Sequence, residues 1–258
     1  MTIPTTTLPR PDVLERPDGA TIAYHRLAGK SPGVVFLGGF MSDMEGTKAL
    51  ALEAHCREAG RAFLRFDHFA HGQSSGDIAE ATVGRWRQDA VAVLDELCDG
   101  PQVLVGSSMG GWVALLAALD RPQRLAGLVG IAAAPDATKV LMWDEFDADI
   151  RATLERDGVY YAPSDYDDGP YTIAMKLIEE GRQHLILDGP IEINCPVRIL
   201  QGMQDPDVPW RHALRITEAL TSDDVVLTLV KNGDHRLSEP DDIARLCASV
   251  EDLCRETP

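Results

Sequence analysis

One stretch constrains this chain more than any other. Val103-Leu104-Val105 passes without a polar linker through Gly106-Ser107-Ser108-Met109-Gly110-Gly111 into Trp112-Val113-Ala114-Leu115-Leu116. The first run has the length of a buried strand, and the second stays apolar long enough to be a buried helix. A strand turning directly into a helix, both apolar all round, belongs to a mainly parallel sheet covered by helices on both faces. The rest of the chain keeps this rhythm. Strands are expected at 21–27, 34–37, 62–66, 102–106, 125–131, 197–201 and 225–230. Helices are expected at 42–59, where Ser42-Asp43-Met44-Glu45 has the capping-box pattern, and at 82–98, 109–119 and 211–220. A last helix opens near Ser238-Glu239-Pro240-Asp241. The predicted fold class is α/β.

The rhythm breaks once. From Pro135 to about Pro190 strand-like runs vanish, and two amphipathic helices are expected near 144–156 and 171–187, with a Tyr-, Pro-, Asp- and Gly-rich stretch between them. This predicts a core in two parts, 1–135 and 191–258, interrupted by a helical lid at 136–190. The first ten or so residues are Pro/Thr-rich and expected to be extended.

With 45% apolar and 25% charged residues in 258, the chain can bury one substantial core. Its net charge of −17 repels phosphate backbones and anionic surfaces, which argues against nucleic acid as a partner. Five widely spaced cysteines make no disulfide framework or zinc site and point to a reducing compartment. The N-terminal residues do not read as a secretory signal and match an organelle transit peptide only weakly. No run has the roughly 20 apolar residues of a membrane span.

Gly106-Ser107-Ser108-Met109-Gly110 matches G-x-S-x-G, but so does Gly72-Gln73-Ser74-Ser75-Gly76. Context separates them. Only the first lies between a buried strand and a helix, the arrangement of a nucleophile elbow, in which the residues two before and two after the serine must be small. Ser74 has loop on both sides. A serine hydroxyl needs a base to become nucleophilic, and in this arrangement acid and histidine follow the serine in that order. Of His184, His212 and His235, only His235 lies in a loop after the last strand, in Lys231-Asn232-Gly233-Asp234-His235. After the preceding strand, Gly202-Met203-Gln204-Asp205-Pro206-Asp207 offers two acids. Asp205, nearer the strand end, is favoured for the imidazole, and Asp207 remains its competitor. Asp234 is expected to face solvent. The oxyanion donors expected are the N–H of Met109, next to the nucleophile, and that of Phe40, after Gly38-Gly39.

Other features take plainer readings. His68-Phe69-Ala70-His71 lacks a third ligand at fitting spacing, so no metal is expected. Cys195 and Trp112 are expected to be buried, and no phosphate-loop or dinucleotide pattern is present. No cofactor is expected. The expected partner is a small-molecule acyl ester or thioester, with an acylated protein as a further option.

With these residues in order, the chain resembles the α/β-hydrolase superfamily over nearly its whole length. Arg65-Phe66-Asp67 followed by Gly72-Gln73-Ser74 is similar to that family's loop after its fourth strand. Within the superfamily, five stretches resemble the mitochondrial palmitoyl-protein thioesterases, also known as acyl-glucuronide esterases: Gly46-Thr47-Lys48-Ala49-Leu50, Gly106–Trp112, Asn194-Cys195-Pro196-Val197-Arg198, Val208-Pro209-Trp210 and Asp234-His235-Arg236. The resemblance implies hydrolysis of S-acyl-cysteine thioesters or activated acyl esters, with Ser108, Asp205 and His235 as triad. Two departures stand out. The mitochondrial leader has little counterpart, which makes a bacterial relative acting in the cytoplasm the expectation. Gly38-Gly39-Phe40 also stands where the wider superfamily commonly has His-Gly. Because a fold does not fix a substrate, amide or carbon–carbon hydrolysis on the same residues, or a non-catalytic binding protein, stays open from sequence alone.

Overall fold

The computed structural model describes residues 10–163 and 170–255. The extended stretch expected for residues 1–9 and part of the Tyr-, Pro-, Asp- and Gly-rich stretch, 164–169, lie outside the described residues.

Eight strands form one sheet in the order β1-β2-β4-β3-β5-β6-β9-β10. They are β1 (Asp12–Glu15), β2 (Thr21–Leu27), β3 (Lys30–Leu37), β4 (Arg61–Phe66), β5 (Gln102–Ser107), β6 (Leu125–Ile131), β9 (Val197–Gly202) and β10 (Val225–Val230). β1 and β2 are antiparallel to their neighbours. From β4 to β10 every pairing is parallel. Alternate residues of the central strands enter separate cores. Val35, Leu37, Leu104, Leu128 and Ile199 pack with Trp86, Trp112, Leu115 and Ile216 on one face. Those residues come from α2 (Val83–Leu97), α3 (Met109–Asp120) and α6 (Trp210–Ala219). Val34, Phe36, Val103, Val105 and Leu200 pack on the other face with Leu52, Cys56, Leu246 and Val250, from α1 (Thr47–Glu58) and α7 (Pro240–Leu253). Burial on both faces is why these strands read as continuous apolar runs.

Two local expectations are corrected. The capping-box pattern at Ser42 does not open a helix. α1 starts at Thr47, with Gly46 as its N-cap. Ser42 Oγ instead donates back to Gly39 O (2.9 Å). Met44 is buried, its N–H donating to Asp67 Oδ1 (2.7 Å) and its carbonyl accepting from Arg65 (3.0 Å). Once these polar groups found partners in the core, a helical turn at 42–45 had nothing left to satisfy.

The second correction concerns the chain between β6 and β9. It holds a π-helical turn (Thr138–Trp143), α4 (Ala148–Asp157), α5 (Met175–Gly181) and an unforeseen two-stranded hairpin, β7 (Val159–Ala162) with β8 (Tyr171–Ala174). The helix expected over 171–187 keeps only Met175–Gly181: its first turn goes to β8, and a 3₁₀ turn (Arg182–His184) replaces its end. Tyr171, Thr172 and Ile173 are aromatic or β-branched, suit a strand, and find partners in Ala162, Tyr161 and Tyr160. Leu154, Ile173 and Ile178 form a small core of their own. The segment is fastened to the main body by Leu177, Ile191 and Ile193 packing into the main core and by polar contacts. Gly84 N–H donates to Glu180 (3.2 Å) and Trp112 Nε1 to His184 O (3.1 Å), while Ile186 and Leu187 N–H close the segment on itself at the buried Asp136 carboxylate (2.8 and 3.0 Å).

Candidate active site

The site is built on the carboxyl ends of the parallel strands, where side chains of successive loops converge. Ser108 follows β5 directly, with φ 54° and ψ −120°. A non-glycine residue there is strained and persists only when its surroundings force it. They do: Ser108 N–H donates to Ile131 O (2.8 Å), while Ser108 O accepts from Gly111 N–H (2.9 Å) and Ala134 N–H (3.1 Å). A Cβ on Gly106 would strike the Gly110 carbonyl, and one on Gly110 would strike the carbonyls of Leu37 and Gly38. The tight turn therefore admits only glycine at both positions. Ser108 itself caps α3, whose N-terminal dipole favours negative charge beside the hydroxyl.

His235 Nε2 lies 3.1 Å from Ser108 Oγ, and His235 Nδ1 lies 2.8 Å from Asp205 Oδ2. The side chain of Asp205 is fully buried. Its Oδ1 accepts from the N–H groups of Asp207 (2.9 Å) and Val208 (2.8 Å), and its Oδ2 also accepts from Gln201 Nε2 (3.0 Å). These donors hold the carboxylate and leave one direction of Oδ2 for the imidazole. An Nδ1–H donating to Asp205 leaves Nε2 as the acceptor for the serine proton. Asp207 is exposed, as is Asp234. Gln201, on β9, was not singled out from sequence, and nothing in its local pattern marks it. Asp205, Asp207 and His235 are also the one trio of acidic and His ligand atoms within 4.8 Å of one another among the described residues. Two of its members already form the acid–histidine pair.

Gly39 packs against Ser108, so that a Cβ there would lie 3.4 Å from Ser108 Cβ. Phe40 N–H and Met109 N–H, the expected oxyanion donors, have no acceptor among the described residues, whereas the next N–H, that of Met41, donates to His71 Nε2 (3.0 Å). Phe40 and Met109 thus keep their donors available beside the serine. On the other flank, Lys48 Nζ donates to Arg236 O (2.5 Å) and Ser238 Oγ (3.4 Å), tying the loop next to His235 to α1. Burial, with Arg236 adding to it, pushes Lys48 down to about 8. A cavity of about 530 Å³ opens over Ser108 and His235, with Phe40, His71 and Tyr171 among its aromatic lining and Lys48 and Arg236 among its polar lining. Tyr171, from β8, stacks on Phe40 with ring centroids 5.9 Å apart.

The set-aside residues have structural partners. Ser74 Oγ donates to Asp67 O (2.6 Å) and accepts from Ala23 N–H (2.9 Å). His184 contacts Glu180 (2.6 Å), and His212 Nε2 contacts Pro135 O (2.9 Å). Trp112 is buried, and Cys195 is half-buried with its thiol pushed up to about 11 by burial. His71, set aside in the sequence as a metal ligand, lines the cavity and accepts from Met41 N–H.

A profile of the α/β-hydrolase fold family matches residues 32–165. The chain belongs to the α/β-hydrolase family. It is 44% identical over 241 residues to the mitochondrial palmitoyl-protein thioesterase ABHD10 of Bos taurus, covering 93% of this chain and 78% of that protein. The human protein of the same name is 43% identical with the same coverage. Among solved structures, mouse alpha/beta hydrolase domain-containing protein 10 matches with a TM-score of 0.88 at 41% identity, covering 94% of this chain and 97% of that one. A structure from Agrobacterium vitis S4 matches with a TM-score of 0.90 at 41% identity and the same coverage. Among the described residues, no helix of this α/β-hydrolase is long and apolar enough to cross a membrane.

Proposed function

We propose that this α/β-hydrolase is a serine esterase or thioesterase working through an acyl-enzyme, with Ser108 as nucleophile, His235 as general base and Asp205 orienting the imidazole. The observation that carries the reading is the hydrogen-bonded line from Ser108 Oγ through His235 to the buried Asp205 carboxylate, at 3.1 and 2.8 Å. His235 Nε2 takes the hydroxyl proton as Oγ bonds to the substrate carbonyl carbon. The resulting oxyanion is met by the N–H groups of Phe40 and Met109. The tetrahedral intermediate collapses, the bond to the leaving oxygen or sulfur breaks, and His235 returns its proton to that atom. Water then enters by the same route, giving its proton to His235, and the free acid leaves with Ser108 restored.

The substrates favoured by similarity to the palmitoyl-protein thioesterases are S-acyl thioesters, on small molecules or on protein, with activated esters such as acyl glucuronides next. An acyl chain has an aromatic wall to lie on at Phe40 and Tyr171. Residues 136–190 act as a lid in this reading, supported by Tyr171 reaching the cavity from the hairpin. The five free cysteines fit a reducing compartment, the cytoplasm.

The test is turnover on a medium-chain oxygen ester and the thioester of the same acid, alongside labelling by a fluorophosphonate. Turnover of either substrate with labelling confined to Ser108 is expected. Labelling elsewhere, or full turnover after Ser108→Ala, would overturn the assignment.

A further inference from the structure

The mechanism leaves three buried histidines unused, His68, His71 and His212, and of these His71 lines the cavity. His71 is 4% exposed and lies in the loop after β4, against the chain segment that follows β3. Its Nε2 lies 3.0 Å from Met41 N, and its Nδ1 lies 3.0 Å from Phe69 O. A backbone N–H can only donate and a carbonyl can only accept. The ring is therefore neutral, with its proton on Nδ1. Burial acts in the same direction, holding His71 below the usual histidine range.

Both contacts are anchored beyond the ring. The Phe69 carbonyl also accepts from Trp86 Nε1 (3.1 Å), and Phe69 N–H donates to Asp89 Oδ2 (3.1 Å). Trp86 and Asp89 lie on α2. At the other end, Met41 adopts φ 57°, a left-handed conformation that needs enforcement in a residue other than glycine. Met41 is also bonded directly to Phe40, which lines the same cavity as Ser108 and whose N–H is the expected oxyanion donor. A continuous line thus runs from α2 through the Phe69 peptide and the His71 ring to the Met41 amide.

We propose that His71 is a positioning residue of the active site: by accepting from Met41 N–H it holds the strained turn that aims Phe40 N–H at the developing oxyanion. The inference rests on the Phe40 assignment within the proposed function. Its consequence is specific. The hydrogen bond to Met41 concerns the transition state, because an oxyanion donor is used only once charge has developed on the carbonyl oxygen. The hydrogen bond to Phe69 concerns the loop alone.

Two substitutions separate these halves. His71→Asn keeps a donor near the Nδ1 position for Phe69 O but removes the acceptor at Nε2. His71→Gln reaches the Nε2 position with a carbonyl oxygen and loses the Nδ1 donor. Both are measured as kcat and KM per active site, counted by fluorophosphonate titration, with thermal unfolding alongside. For His71→Asn, kcat should fall about 10- to 100-fold with KM within about twofold, since a lost oxyanion donor typically lowers turnover by about 10²–10³. His71→Gln should recover most of the loss, whichever variant is the less stable. An unchanged kcat in His71→Asn, an equal loss in both variants, or losses that follow the unfolding temperature would overturn the proposal. Fluorophosphonate labelling of Ser108 in the unsubstituted enzyme tests the triad separately, so failure here leaves that reading standing.

Discussion

The carboxyl edge of the sheet and the segment between β6 and β9 meet at one cavity but are built in opposite ways. At the sheet edge each functional group follows closely on a parallel strand: Phe40 after β3, Ser108 after β5, Asp205 after β9 and His235 after β10. β3, β5 and β9 are paired on both sides and buried, which fixes their loop starts, while β10 is the edge strand, paired to β9 alone and partly exposed. The 132–196 segment has a small core of its own around Leu154, Ile173 and Ile178, sends Leu177, Ile191 and Ile193 into the main core, and brings Tyr171 to the cavity. The contrast teaches a division of labour. In the proposed reading the strand ends set the bond-making geometry, and the segment between β6 and β9, held by side-chain packing and polar contacts instead of the main sheet's ladder, shapes what can approach it.

The comparison is tested hardest at the strand ends. Ser108→Ala should lower kcat by roughly 10⁵–10⁶, as removal of a triad nucleophile does, with the unfolding transition unchanged. Comparable turnover in that variant would remove the sheet edge from the chemistry. Next in size, Asp205→Asn should lower kcat about 10⁴-fold by upsetting the histidine tautomer, while Asp207→Asn, which alters an exposed side chain, should stay within about threefold. Reversal of that order in steady-state assays would transfer the acid role to Asp207.

A third test concerns stability beneath the strand ends. His68 is fully buried, and its burial pushes it down to about 3. Its folded-state value lies below its unfolded one, so its contribution to stability is present above about pH 6.5 and lost as pH falls. Asp67 and Asp89, pushed up to about 6 by burial, act in the opposite sense, so the comparison must be with a variant. Between pH 7 and pH 5 the unfolding free energy of wild type relative to His68→Phe should drop by about 2 kcal/mol, read by urea denaturation. A pH-independent difference would show that His68 is not held neutral. The smallest effect belongs to the other region. Tyr171→Ala should raise KM for a long-chain substrate by up to about tenfold, the worth of one aromatic contact, with little change in kcat. A kcat loss as large as that of Asp205→Asn would mean that the segment shares in the chemistry, and the division would fail.

Much of the sheet edge was legible because the information is local. An apolar run next to G-x-S-x-G, an acid after one late strand and a histidine after the next can be read without knowing what they touch. The same logic picked Asp205 over Asp207 and Ser108 over Ser74, whose hydroxyl is taken up by Asp67 O and Ala23 N–H. The hairpin of β7 and β8 was not legible. Its pattern suits a helix as well as a strand, and only pairing across the intervening chain decides between them. The helix start at 42 failed for a related reason, since Asp67 and Arg65 took over the polar groups of Met44.

The alternation of strand and helix, the tight turn at Ser108 and the order of serine, acid and histidine are readable along the chain, because periodicity and backbone sterics act over a few residues. What came only with the folded sheet is that Gln201 steadies the Asp205 carboxylate and that His71 accepts from the Met41 amide 30 positions earlier in the chain. Those are hydrogen bonds between groups that meet only when the sheet has closed, and their partners are backbone N–H groups and side-chain atoms that carry no local signature.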